Sequence, residues 1–131
     1  MTKSPVLLTL QLSALVTAGL ALLQTVLGFV IVSGSWVSWH GDVGYLTFVV
    51  SLVAAVAAFL WMRRSGNKGI FMHAAGMAVL FLVQVGLAEM ELKWVHVVLG
   101  VLLLLGSAAL ATLAYRRPGA LPEPVSPDRL A

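Results

Sequence analysis

The stretch VGYLTFVVSLVAAVAAFLWMRR, residues 43–64, decides the fold. From Val43 to Met62 it carries no charge and no proline, and it stops at Arg63 and Arg64. A helix rises about 1.5 Å per residue, so such a run crosses a hydrocarbon core of about 30 Å. Helix is expected rather than strand, because lipid cannot satisfy exposed backbone groups.

Three further runs of the same kind flank it: Val6–Val32, Ile70–Ala88 and Trp94–Tyr115, none with a proline inside. Their connectors, SGSWVSWHGD, RRSGNKG and EMELK, are short. Short loops make consecutive helices antiparallel, so the expected fold is all-α: an integral membrane four-helix up-down-up-down bundle. The composition agrees. The chain has 131 residues, 60% hydrophobic and 10% charged, whereas a soluble domain is about half apolar and a quarter charged. One compact transmembrane domain over residues 1–117 is expected, with no separate soluble enzyme domain. The tail over residues 118–131, PGALPEPVSPDRLA, carries four of the five prolines and is expected to be disordered and cytoplasmic. The first run is too long for the apolar part of a cleavable signal, and is read as a retained span.

Charge placement sets the expected orientation. Lys3, Arg63, Arg64, Lys68, Arg116, Arg117 and Arg129 fall on one side of the bundle, and only Lys93 on the other. Basic residues stay with the cytoplasmic side, so both termini are expected there. Asp42, Glu89 and Glu91 then lie at the outer face, with Trp36, Trp39 and Trp94 as an aromatic belt; Trp61 and Tyr115 mark the inner interface. The expected location is a cell membrane, crossed several times, and the first partner is the bilayer itself. The net charge of +3 forms no basic stripe, so no nucleic-acid partner is expected.

The two halves echo one another. LQTVLG, WVSWHGDVG and an apolar run to Arg63 are followed by LVQVG, KWVHVVLG and an apolar run to Arg116. Each half has a glutamine near the outer end of its first helix, Gln24 or Gln84. In each, a tryptophan and a histidine open the second helix, and a glycine follows the histidine by one turn: His40 with Gly44, His96 with Gly100. An internal repeat of two helical hairpins follows.

Chemistry rests on these residues. Below His40 runs a stripe of small residues, Gly44, Thr47, Ser51, Ala55 and Ala58; below His96 run Gly100, Ser107 and Ala111, interrupted by Leu103. Such stripes let membrane helices approach, or leave room for a flat ligand. The inward faces expected for the odd helices carry Ser13, Thr17, Gln24 and Gly28, and His73, Met77, Leu80 and Gln84. Histidines facing across a bundle at one depth are what a bis-histidine haem needs, with iron taking one imidazole from each side. The glycines would leave space for the edge of the macrocycle. Asp42, Gln24 or Gln84 would hold the outer imidazole nitrogen.

A plainer reading stands beside this one. Histidine next to tryptophan also serves as interfacial anchoring, and membrane glutamines join helices by hydrogen bonds. His73, near the cytoplasmic end, reads as a packed histidine, with a second site beside Met77 as the alternative. Glu89 and Glu91 read as a solvated loop. No charged residue lies deep in a span, which argues against a proton pump or ion channel. The absence of cysteine excludes disulfides, thiolate metal sites and a cysteine nucleophile. No phosphate-cradling glycine loop, HExxH or nucleophile elbow occurs.

LQTVLGFVIVSG, a helix opening on histidine, LVQVG and KWVHVVLGVLLLL together resemble one four-helix half of the haem A synthase family, over about residues 20–116. That family pairs two such bundles, with haem-ligating histidines on the second and fourth helices of each. The resemblance implies a b-type haem on His40 and His96, and electron transfer. The family's catalytic half has a glutamate three residues before the histidine, an arginine after a histidine and an outer cysteine pair. Here Val37 stands three before His40, Gly41 and Val97 follow the histidines, and cysteine is absent. The chain resembles the cofactor-holding half. The leading expectation is a cytochrome-like haem b protein serving electron transfer or a haem or respiratory enzyme. A cofactor-free accessory subunit or assembly factor is the alternative, and a haem-modifying enzyme a weaker one. Expected partners are a second copy, which would mimic the double bundle, or a membrane protein of respiration or haem synthesis.

Overall fold

A computed structural model of the chain describes residues 4–121, and it is all-helical. Helix α1 spans Pro5–Val32, α2 His40–Ser65, α3 Lys68–Glu89 and α4 Lys93–Arg116. All four are long and apolar enough to cross a membrane. Lys3, Arg129 and most of the expected tail lie outside the described residues.

The helices reach further into the connectors than the apolar runs suggest. RRSGNKG shrinks to Gly66 and Asn67, because the two residues act as opposing caps. Gly66 ends α2 in the left-handed region at φ 73°, its N–H donating to the Met62 carbonyl at 2.8 Å. The Asn67 side chain accepts from the Ile70 N–H at 3.2 Å and opens α3. Arg63 and Arg64 therefore form the last turn of α2, where positive charge suits the helix dipole. At its other end α2 begins on His40, three residues before the apolar run, so the histidine belongs to the helix.

Among the described residues α1 packs on α2 and α4, and α3 packs on the same two; the diagonal pairs do not meet along their backbones. The arrangement is a square with α2 facing α4 across the centre. Large side chains point outward: Leu15, Val56, Val79 and Leu105 are all more than half exposed. The interior holds alanine, serine and threonine instead, which lets the helices approach closely. Thr17 and Ser51 are buried, their hydroxyls donating to carbonyls of their own helices.

Toward the chain termini the interior is tightly filled by Leu10, Ala14, Ala58, Trp61, Leu110 and Ala114 among others. Trp61 is thus a core residue rather than an interfacial one. Its indole N–H donates to the Pro118 carbonyl, which buries the ring under the end of α4. Asn67 Nδ2 donates to the carbonyls of Arg117 and Pro118, so the start of the expected tail is tied to the α2–α3 turn. Tyr115 is exposed. A second cluster, Ala21, Met77, Phe81 and Leu103, closes the middle of the bundle. The inward row of α3 runs Ile70, Ala74, Met77, Phe81, Gln84, in alternating steps of four and three. Leu80 falls off that row and is exposed, so Phe81 takes the interior place expected for it.

His73 is a packed histidine. Its Nε2–H donates to the Gly106 carbonyl at 2.9 Å, joining α3 to α4. Met77, one turn on, lies against the Cα of Gly106, where an added Cβ would stand 2.6 Å from its sulfur.

Candidate functional site

Above Phe81 and Leu103 the four helices leave a mostly apolar cleft of about 860 Å³, counted out to its open mouths. Every helix contributes to it: Gln24 and Gly28 from α1, His40 and Gly44 from α2, Gln84 from α3, His96 and Gly100 from α4. The six residues singled out in the sequence, Gln24, His40, Gly44, Gln84, His96 and Gly100, therefore line one space.

The two imidazoles meet across it. Their ring centroids are 6.2 Å apart and their planes 70° to one another. Imidazole nitrogens bind transition metals at about 2 Å, and each stands about 1 Å from its ring centre. Two rings on opposite sides of one metal therefore have centroids about 6 Å apart. The helix square explains the meeting, since His40 and His96 sit in the opening turns of the two diagonal helices.

The repeated sequence pattern becomes a repeated hydrogen bond. Gln24 Nε2 donates to the His40 backbone carbonyl at 2.7 Å, and Gln84 Nε2 donates to the His96 carbonyl at 2.8 Å. The glycine one turn after each histidine makes way for that amide. A Cβ on Gly44 would stand 3.1 Å from Gln24 Nε2, and one on Gly100 would stand 3.0 Å from Gln84 Nε2. The glutamines thus hold the helix starts rather than the rings. The imidazole nitrogen Nδ1 of His96 donates instead to the backbone carbonyl of Gln84 at 3.0 Å. That bond leaves Nε2 as the nitrogen available to a metal. Asp42, on the first turn of α2, is exposed and outside the cleft lining, so it does not orient either ring. His40 Nδ1, Gln24 Oε1 and Gln84 Oε1 are buried with no hydrogen-bond partner.

Two cleft residues carry no sequence signal of the kind the repeat provides. Glu89 ends α3 and accepts from the Tyr45 hydroxyl at 3.2 Å, bridging α2 and α3 at the rim. Glu89 is therefore part of the cleft wall rather than of a free loop. Trp36, Trp39 and Trp94 are exposed at this end, with the Lys93 ammonium 5.4 Å from the Trp94 ring centre.

The donor set narrows the chemistry. Among the described residues no group of three His, Cys, Asp or Glu converges as a bare metal ion would require. Two opposed imidazoles do suit a metal that brings its own equatorial ligands, as iron in a porphyrin does.

A Gly100→Val chain tests the glutamine arrangement. Its side chain displaces the Gln84 amide and breaks the bond to the His96 carbonyl. Thermal unfolding in detergent should show a loss of about 1–3 kcal/mol. Gly100→Val with Gln84→Ala should lose less than the two changes added together. Strict additivity would deny the contact.

Comparison with protein-family models, with curated proteins and with solved structures finds no match to this chain.

Proposed function

We propose that this chain is a multi-pass membrane protein that holds one b-type haem between His40 and His96. The termini and the Arg63–Lys68 turn lie in the cytoplasm, on the asymmetry of Lys and Arg. The cleft then opens near the outer face, at the end where Trp36, Trp39 and Trp94 are exposed. The observation that carries the reading is the 6.2 Å approach of two imidazoles from opposite helices inside an apolar cleft.

Each residue has a separate task. His40 and His96 would hold the haem iron through their imidazole nitrogens. The Gln84 carbonyl sets the tautomer of His96. Gln24 and Gln84 hold the opening turns of α2 and α4 at the depth where the rings meet. The apolar walls keep water from the ring faces, and exclusion of water shifts a haem potential. A bound b-type haem supplies one-electron transfer. The glutamate and arginine of the haem A synthase catalytic half have no counterpart beside His40 or His96, and the cleft carboxylate Glu89 accepts from the Tyr45 hydroxyl at the rim. The reading is therefore a haem-holding electron-transfer or supporting subunit, related by resemblance to the cofactor-holding half of that family.

The test is a reduced-minus-oxidised spectrum of protein purified from haem-replete cells. The expected result is a low-spin b-type spectrum at about one haem per chain. Protein without haem absorbance would overturn the proposal and favour a cofactor-free accessory subunit.

A further inference from the structure

The two histidines are held differently, and the difference has a chemical consequence. His96 and Gln84 are joined twice. The Gln84 amide donates to the His96 carbonyl, and the His96 ring donates back to the Gln84 carbonyl. Backbone and ring are both fixed, and the donated Nδ1–H makes the far nitrogen a better ligand. His40 has only the first of these bonds. Its Nδ1 is buried with no hydrogen-bond partner.

Position in the chain widens the gap. His96 lies inside α4, its N–H donating to the Leu92 carbonyl at 2.9 Å. His40 is the first residue of α2 and has a long 3.4 Å bond from its N–H to the Val37 carbonyl. Helix starts of this kind fray most readily. There is also room for the ring to move. Gly28 lies against it, and a Cβ there would stand 3.8 Å from His40 Cε1. The residue four after the other glutamine is Ala88, which has the methyl that Gly28 lacks.

We propose that the two axial positions are unequal: His96 is the permanent ligand and His40 the displaceable one, so a small neutral ligand of the carbon monoxide class enters on the His40 side. The inference rests on the haem reading above. It adds a binding activity for diatomic ligands, which two equally held histidines would resist.

Three chains and one probe test it: wild type, His40→Ala and His96→Ala, with carbon monoxide added to the reduced protein. His40→Ala should keep haem to within about two-fold of wild type, turn high-spin and take up carbon monoxide fast. His96→Ala should lose haem about ten-fold or more. In the wild type the uptake rate should level off with carbon monoxide concentration, because departure of His40 limits it. A second pair retains both histidines and so avoids any folding defect from their loss. Gly28→Val should slow uptake, since it fills the space beside the His40 ring, and Ala88→Val should not. Equal haem loss in the two histidine variants, loss in the reverse order, or equal uptake rates in the valine pair would overturn the inequality. A haem-bearing wild type accompanying those results would leave the haem reading standing; a haem-free wild type would remove both.

Discussion

A chain carrying both His40→Ala and His96→Ala is expected to fold, insert and purify with no haem. The two halves of that result come from different atoms. The ligands are the imidazoles, and alanine removes them. The glutamine bonds run to the backbone carbonyls of residues 40 and 96, which alanine keeps. Alanine is also the strongest helix former, and its presence removes the buried unpartnered Nδ1 of His40. Stability should therefore change by no more than about 1 kcal/mol, read from unfolding in detergent. Haem per chain should fall by about two orders of magnitude, at the top of the ten- to hundred-fold range typical of losing a supporting contact. His73 cannot substitute, because it is bonded to Gly106 and lies outside the cleft lining. Haem retained at the wild-type level would show that the iron sits elsewhere. A variant that aggregates would contradict the backbone role assigned to the glutamines.

The second large effect lies in the middle of the bundle. Gly106→Leu should destabilise the protein by about 3 kcal/mol, at the upper end of overpacking effects. The Cβ alone would stand 2.6 Å from the Met77 sulfur and 3.1 Å from its terminal methyl. Met77 cannot simply swing away, because it is buried in the cluster with Ala21, Phe81 and Leu103. The helices cannot easily separate either, since the His73 ring is bonded to the carbonyl of Gly106 itself. Met77→Ala opens the space that the leucine needs. The double variant should therefore be more stable than the sum of the single losses, by about 1–2 kcal/mol in a double-mutant cycle. Additive losses would mean that α3 and α4 do not touch at this point.

These results bear on how far the chain could be read without its structure. The four helices were legible because hydropathy is local. A run such as residues 43–62 declares itself through its own side chains, and charge at its ends declares where it stops. Helix ends were less legible. Arg63, Arg64 and Lys68 read as loop by charge, yet the Gly66 and Asn67 caps let both helices run through them. Leu80 and Phe81 were exchanged because a row that alternates steps of three and four can be started on either of two adjacent flanks. Trp61 read as interfacial by residue type, although the end of α4 covers it.

The site was legible as a list of residues and not as a set of roles. Gln24, His40, Gly44 and their echoes Gln84, His96, Gly100 stood out because a duplicated spacing is visible in one dimension. Their partners were not visible, because the acceptors of Gln24, Gln84 and the His96 ring are backbone carbonyls. Every residue has one, so no side-chain pattern marks it. Sequence alone determined that four apolar helices would form and that two histidines would open the second and fourth. Only the tertiary structure decided that those two helices stand diagonally, with the rings 6.2 Å apart, and that one ring is hydrogen-bonded while the other is not. Hydropathy acts through the surroundings of each residue in its own segment. The meeting of two side chains depends on the rotation and depth of four packed helices at once, and close packing of small residues sets both.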